Sequence, residues 1–175
     1  MKKLFSIIFI LFLILPANSQ MITGEIKYDA EMAQEEVFKK PVTPVKQNKL
    51  YNRYFDSNNQ ENLNALRAGI TELNDRKVAL FSDGSYGVQY NDDPLYSWYY
   101  SNNGRLINFM QKDSEEYPSK FVRFKPDGSI TNRGIKVSET ESFIFTPEGK
   151  LIAHWLENMC YDSYNNIIMT RKVLN

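Results

Sequence analysis

A seven-residue phrase, aromatic-x-x-x-Gly-x-aliphatic, recurs through the second half of this chain and narrows what it can fold into. It reads YSNNGRL at Tyr100–Leu106, FKPDGSI at Phe124–Ile130 and FTPEGKL at Phe145–Leu151. A weaker copy, LFSDGSY, lies at Leu80–Tyr86, and another, YDSYNNI, lies at Tyr161–Ile167 with Asn165 in the glycine slot. The glycine slots fall at 84, 104, 128, 149 and 165, a spacing of 16 to 24 residues that suits one β-hairpin per repeat. In KPDG and TPEG, proline presets the first corner of a type I turn, and glycine takes the left-handed conformation that closes a three-residue loop with a bulge. Asparagine tolerates that conformation better than other non-glycine residues, so Asn165 fits the same slot.

This loop type sets register. Lys125 is expected to face Ser129 and Thr146 to face Lys150; the next pairs in are Phe124 with Ile130, Phe145 with Leu151, Tyr100 with Leu106 and Tyr161 with Ile167. Aromatic residues opposite aliphatic ones stabilise antiparallel pairs. Two residues before each aromatic the same face is apolar again, at Val78, Trp98, Val122, Phe143 and Met159, which implies one continuous buried face. The fold expected is mainly β: an antiparallel β-hairpin repeat meander of ten short strands, a curled sheet or partly closed barrel, with one or two short N-terminal helices.

The opposite face is mixed. Ala79, Gly87, Arg123 and Thr131 are small or polar, with Tyr99 and Ile107 as exceptions, whereas Ile144, Ile152, Cys160 and Ile168 turn it apolar towards the end of the chain. A sheet that is apolar on both faces is either sandwiched there or exposes a docking patch. Ile144, Ile152, Cys160, Ile168 and Tyr99 are therefore the candidate interaction residues. The plainer expectation is that the helix over Leu63–Leu73 or the N-terminal strand covers them.

Residues 1–19 read as a signal peptide, with an uncleaved anchor as the alternative: Lys2 and Lys3, an apolar run over Leu4–Leu15, then Ala17-Asn18-Ser19 before a cut ahead of Gln20. Residues 20–76 form a mixed segment expected to pack on the sheet, and 77–175 form the repeat region of the same domain. Within 20–76, ITGEIKY at Ile22–Tyr28 alternates weakly like an edge strand. Ala30–Lys39 is rich in helix formers, PVTPV follows as an extended connector, and Asp56–Gln60 offers caps for a second helix carrying Leu63, Leu66, Ile70 and Leu73. Gly69 weakens the end of that helix and offers an alternative lead into the first strand. Loss of Lys2 and Lys3 leaves 19 basic against 21 acidic residues, so charge gives no case for nucleic acid or an anionic membrane surface, and no stable membrane insertion is expected after cleavage.

Chemistry-bearing motifs are sparse. His154 and Cys160 are the sole histidine and cysteine, six residues apart, and form the one candidate hydrolytic pair. The single cysteine makes no internal disulfide and reads as a buried thiol. Acidic pairs at Asp92-Asp93, Glu115-Glu116 and Glu139/Glu141 read as solvated turn residues, and no metal or cofactor motif is present. In YSWYY, alternation sends Tyr96, Trp98 and Tyr100 to the core face and Tyr99 outward.

WYYSNNGRL resembles the W-x-Y-x-x-x-G-x-L units of MORN-like and antitoxin-type hairpin repeats, and CYDSYNNII resembles the Y-D-x-x-G-x-L repeats of Rhs-type surface proteins, over about residues 78–170. The resemblance implies binding, scaffolding or encapsulation, and no functional residue carries over. The expectation is an exported, periplasmic or secreted, non-catalytic binding or interaction module of the bacterial envelope, with an envelope protein or polysaccharide as partner. Alternatives are a small-ligand carrier, which would require an unfilled cavity inside the aromatic face, and a hydrolase using His154 and Cys160.

Overall fold

The computed structural model describes residues 28–44 and 53–171. The expected signal peptide, and the expected edge strand apart from Tyr28, lie outside the described residues. Ten strands run in chain order: β1 Arg76–Leu80, β2 Tyr86–Tyr90, β3 Tyr96–Tyr100, β4 Leu106–Lys112, β5 Ser119–Phe124, β6 Ile130–Lys136, β7 Glu141–Phe145, β8 Leu151–Leu156, β9 Met159–Tyr161 and β10 Ile167–Thr170. Each pairs antiparallel with its sequence neighbours in one sheet, a pure meander.

The phrase folds as its turn chemistry dictates. Gly84, Gly104, Gly128 and Gly149 have φ of +83°, +77°, +84° and +98°, and Asn165 has +63°. The Lys125 amide donates to the Ser129 carbonyl at 2.8 Å, and Thr146 donates to Lys150 at the same distance. Phe124 pairs with Ile130, Phe145 with Leu151, Tyr100 with Leu106 and Tyr161 with Ile167.

A second bulge recurs outside the turn loop, and turn chemistry does not announce it. Beyond the Tyr100–Leu106 pair, Tyr99 pairs with Asn108, so Ile107 is skipped. The same step skips Thr131, Ile152 and Ile168 in the later repeats. Each is the residue that follows the aliphatic end of the phrase. A one-residue β-bulge bends its strand and increases the local twist, and four at equivalent positions accumulate into a steady curl. The first hairpin lacks the bulge, with Leu80 facing Tyr86 and Ala79 facing Gly87.

The curl brings the sheet back towards itself. Laid flat, β1 and β8 would stand roughly 34 Å apart at the usual strand spacing, yet the rings of Phe81, just past β1, and Trp155 on β8 are 6.0 Å apart. At the closing corner Phe81 bridges Arg171, and the Ser82 amide donates to the Thr170 carbonyl at 2.9 Å. The result is a curled sheet whose ends meet at one corner.

The N-terminal segment covers the convex face, which is the phrase face, over the first four repeats; the continuous buried face expected across all five copies stops there, because no described helix packs on β9–β10 and Ile167 is 55% exposed. α1 (Ala30–Lys39) starts where the Asp29 carboxylate accepts the Met32 amide at 2.9 Å. It buries Ala33 and Val37, one turn apart, against Ile135, Phe143 and Phe145. Residues 41–44 then run on over the sheet with Val42 buried, and the Thr43 carbonyl accepts the Gln111 side-chain amide at 3.1 Å. α2 (Asn59–Arg67) packs Leu66 into the main cluster of Val78, Tyr86, Val88, Trp98 and Tyr100. Asp56 fixes its start by accepting both the Asn58 amide at 2.9 Å and the Tyr86 hydroxyl at 2.8 Å.

Of the two readings of the end of α2, the one in which Gly69–Leu73 leads into the first strand holds, and the expected place of the helix on the sheet is corrected. The helix stops at Arg67, because Gly69 at φ +78° lets the Ile70 amide donate back to the Ala65 carbonyl and the Gly69 amide to Leu66, a left-handed stop. Ile70 is exposed as a result. The helix also covers the phrase face and not the second apolar face, whose cover is the sheet's own curl.

Candidate functional site

The concave face carries its own cluster, in which Met110, Phe121, Ile144, Ala153, Trp155 and Cys160 are buried and Phe81, Tyr99 and Met169 pack against them. These side chains come from strands along the whole meander and meet because the curl turns them inward. Two glycines let the aromatic rings lie down on the sheet. A Cβ at Gly134 would collide with the Phe121 ring and the Phe143 carbonyl, and one at Gly87 would sit 3.3 Å from the Tyr99 ring.

The cluster does not fill the concavity. A cavity of about 390 Å³ remains. All five candidate interaction residues line it, but in two roles. Ile144 and Cys160 are 3% and 4% exposed and lie within, and Tyr99 is half-buried; Ile152 and Ile168 are 37% and 55% exposed and stand at the rim with Ile107. Those three rim residues are bulge residues. Each bulge turns its residue and the next one inward together, as Ile107 with Asn108, Ile152 with Ala153 and Ile168 with Met169. The cavity expected inside the aromatic phrase face is instead on the opposite face, because helices and aromatic side chains fill the phrase face.

Polar groups converge on the same space. Arg123, Lys136 and Arg171 line it against one carboxylate, Asp83, whose Oδ1 accepts the Ser85 amide and hydroxyl within its own exposed turn. Four buried polar atoms in the lining, Arg123 Nε, Arg171 Nε, Asn108 Oδ1 and Asn132 Oδ1, have no hydrogen-bond partner among the described residues. The Arg123 guanidinium lies 4.9 Å from the Tyr99 ring centre and 5.4 Å from that of Phe121, and Arg171 lies 5.5 Å from Trp155. Burial, then repulsion from Lys112, Arg171 and Arg123, pulls the Lys136 ammonium down to about 8 against the weaker opposing pull of Glu139. Burial pushes the Cys160 thiol up to about 11, with Arg123 opposing.

The proposed hydrolytic pair is separated. Cys160 pairs with Trp155 and joins the concave cluster, while His154 pairs with Tyr161 and turns to the convex face. There its Nε2 lies 2.9 Å from Glu141 Oε1, and its ring stacks on Phe143 at 4.3 Å. Strict alternation from Leu151 would put His154 on the cavity side; the Ile152 bulge reverses it. Glu141 is thus paired with His154, while Asp92 and the Glu115-Glu116 pair lie exposed in turns. Tyr96, Trp98 and Tyr100 sit on the phrase face and Tyr99 on the other. Arg123, Lys136 and Arg171 were not marked as a set by the sequence, since three cations on different elements carry no spacing signature.

Among the described residues no group of three His, Cys, Asp or Glu side chains could hold a metal ion, and no helix is long and apolar enough to cross a membrane. No protein-family model, curated protein or solved structure matches the chain.

Proposed function

We propose that this chain is an exported, non-catalytic binding module that holds a small molecule in the concave interior of its sheet. The observation that carries the reading is the cavity of about 390 Å³, walled by aromatic and aliphatic side chains from most of the meander. Ligand sites are typically concave, largely apolar spaces of ~300–1,000 Å³ with a few converging polar groups. Export rests on the leader-like first nineteen residues. The likeness to MORN-like and YD hairpin units supports binding over catalysis, as does the placement of His154 and Cys160 on opposite faces.

The test is a titration with phenylnaphthylamine, a neutral apolar fluorophore that brightens when it leaves water. The expected result is saturable binding with energy transfer from Trp155, abolished in Ala153→Phe, which fills the cavity from its wall. A folded wild-type protein that does not bind the dye, or an Ala153→Phe protein that binds it equally well, refutes the reading.

A further inference from the structure

We propose that the cavity is selective for an amphipathic oxyanion: an apolar body received by the aromatic walls, with a carboxylate, sulfonate or phosphate head held by Arg123, Arg171 and Lys136. This rests on the cavity being a ligand site and adds the chemistry of its occupant.

The whole chain has as many acidic as basic residues, 21 of each, so a basic lining is not a spill-over of general basicity. Yet the cavity gathers three cations against Asp83 alone, and among the described residues none of the three forms an ion pair. Withdrawing cations from water without partners is unfavourable, and setting them beside one another adds repulsion. Two arginines also keep a wholly buried Nε–H without an acceptor. A fold that only needed to fill its interior would place apolar side chains there.

The geometry fits an oxyanion. Both guanidinium groups lie against aromatic rings, Arg123 by Tyr99 and Arg171 by Trp155. Such stacking holds the planar fork and leaves its edge N–H donors free for a two-oxygen head group. The amides of Asn108 and Asn132 stand beside them with unpaired buried oxygens; turning an amide over presents its NH₂ instead. Lys136 supplies a third charge. The apolar remainder of the ligand would lie on Phe81, Phe121 and Met110.

Anilinonaphthalene sulfonate and phenylnaphthylamine share the same aromatic body and differ by the sulfonate, so their affinities isolate the head group. A wall without cations prefers the neutral dye, because the sulfonate must shed its water. The expected result is a preference for the sulfonate of at least about tenfold, the worth of one charge-assisted hydrogen bond. In Arg123→Gln/Arg171→Gln the preference falls to about twofold or less, while exposed Arg67→Gln on α2 keeps it whole. Ala153→Phe must abolish the binding of both dyes, which separates the cavity from surface ion pairing. Excess inorganic phosphate should not displace the sulfonate dye. Equal affinity for the two dyes overturns the oxyanion inference and leaves the ligand-site reading standing, whereas failure of both dyes to bind removes both. Displacement by phosphate alone also overturns it, since the apolar body would then contribute nothing. The dye comparison needs only the wild-type protein, so it holds even where a variant does not fold.

Discussion

Cys160 reports directly on whether the concave interior is shielded, and its labelling rate can be worked out in advance. The perturbation is a chromogenic disulfide reagent applied to the folded protein at pH 8. The thiol stands at about 11 in the fold against an ordinary 9.0. Its ionised fraction at pH 8 is therefore about one in a thousand instead of about one in ten, a loss of ~100-fold in reactive thiolate. A more basic thiolate is a better nucleophile, and a Brønsted slope of ~0.4–0.5 over two units returns roughly six- to tenfold. The net expectation is labelling at least ~10-fold slower than in the same protein unfolded in urea. Access slows it further, since the residue is 4% exposed behind the rim of Ile152 and Ile168. Stopped-flow absorbance gives both rates, with the urea-unfolded protein as internal standard. A folded rate within about threefold of the unfolded one would refute the shielding and the burial of the thiol together. Loading the cavity with anilinonaphthalene sulfonate should slow the reaction again.

Other outcomes follow from the same geometry. Gly134→Ala should destabilise by at least ~1–3 kcal/mol, read as a lowered urea midpoint, because the new methyl meets the Phe121 ring and a backbone carbonyl. Gly84→Ala should cost only the left-handed penalty of ~1–2 kcal/mol, since nothing occupies the space around it, whereas Gly104→Ala should cost more because its Cβ would sit 3.0 Å from Asn59 at the start of α2. Lys136 is charged below about 8 and faces Lys112 from β4, Arg123 from β5, Glu139 and Tyr117 from turns, and Arg171 beyond β10. Oxyanion affinity should therefore fall as pH rises through that value, and Lys136→Met should remove that step from the binding curve. The linked stability change has the opposite sign: between about 8 and the ordinary 10.5 the unfolded chain holds a proton the fold lacks. The empty protein should gain up to ~3 kcal/mol across that window relative to Lys136→Met, measured as paired urea midpoints.

What could be read from the sequence was local. Each phrase carries its own turn chemistry, so Gly128 and Gly149 announce left-handed turns and fix the register of Phe124 with Ile130 and Phe145 with Leu151 without help from the rest of the fold. What could not be read was parity. A bulge leaves no residue signature of its own at Ile107, Thr131, Ile152 or Ile168, yet each one reverses the inward and outward order of everything after it on its strand. Strict alternation from Leu106 would send Phe109 to the concave face and Met110 to the convex one; the structure does the reverse. His154 and Trp155 exchange faces in the same way, which removes the apparent closeness of His154 to Cys160. The helices illustrate a second limit: their apolar spacing was visible, but nothing in Leu63 or Leu66 says which of two apolar sheet faces will receive them. The cation set escaped for a third reason, since Arg123, Lys136 and Arg171 meet only after the sheet has closed on itself.

The repeated bulge also makes the size of the interior a countable quantity. Because each hairpin after the first brings its own bulge, the arc swept by the sheet grows with hairpin number. Five hairpins carry it round until Phe81 touches Arg171. A chain of this kind can therefore change the size of its concavity by duplicating or losing one unit of about twenty residues, with every remaining turn and bulge kept as it is.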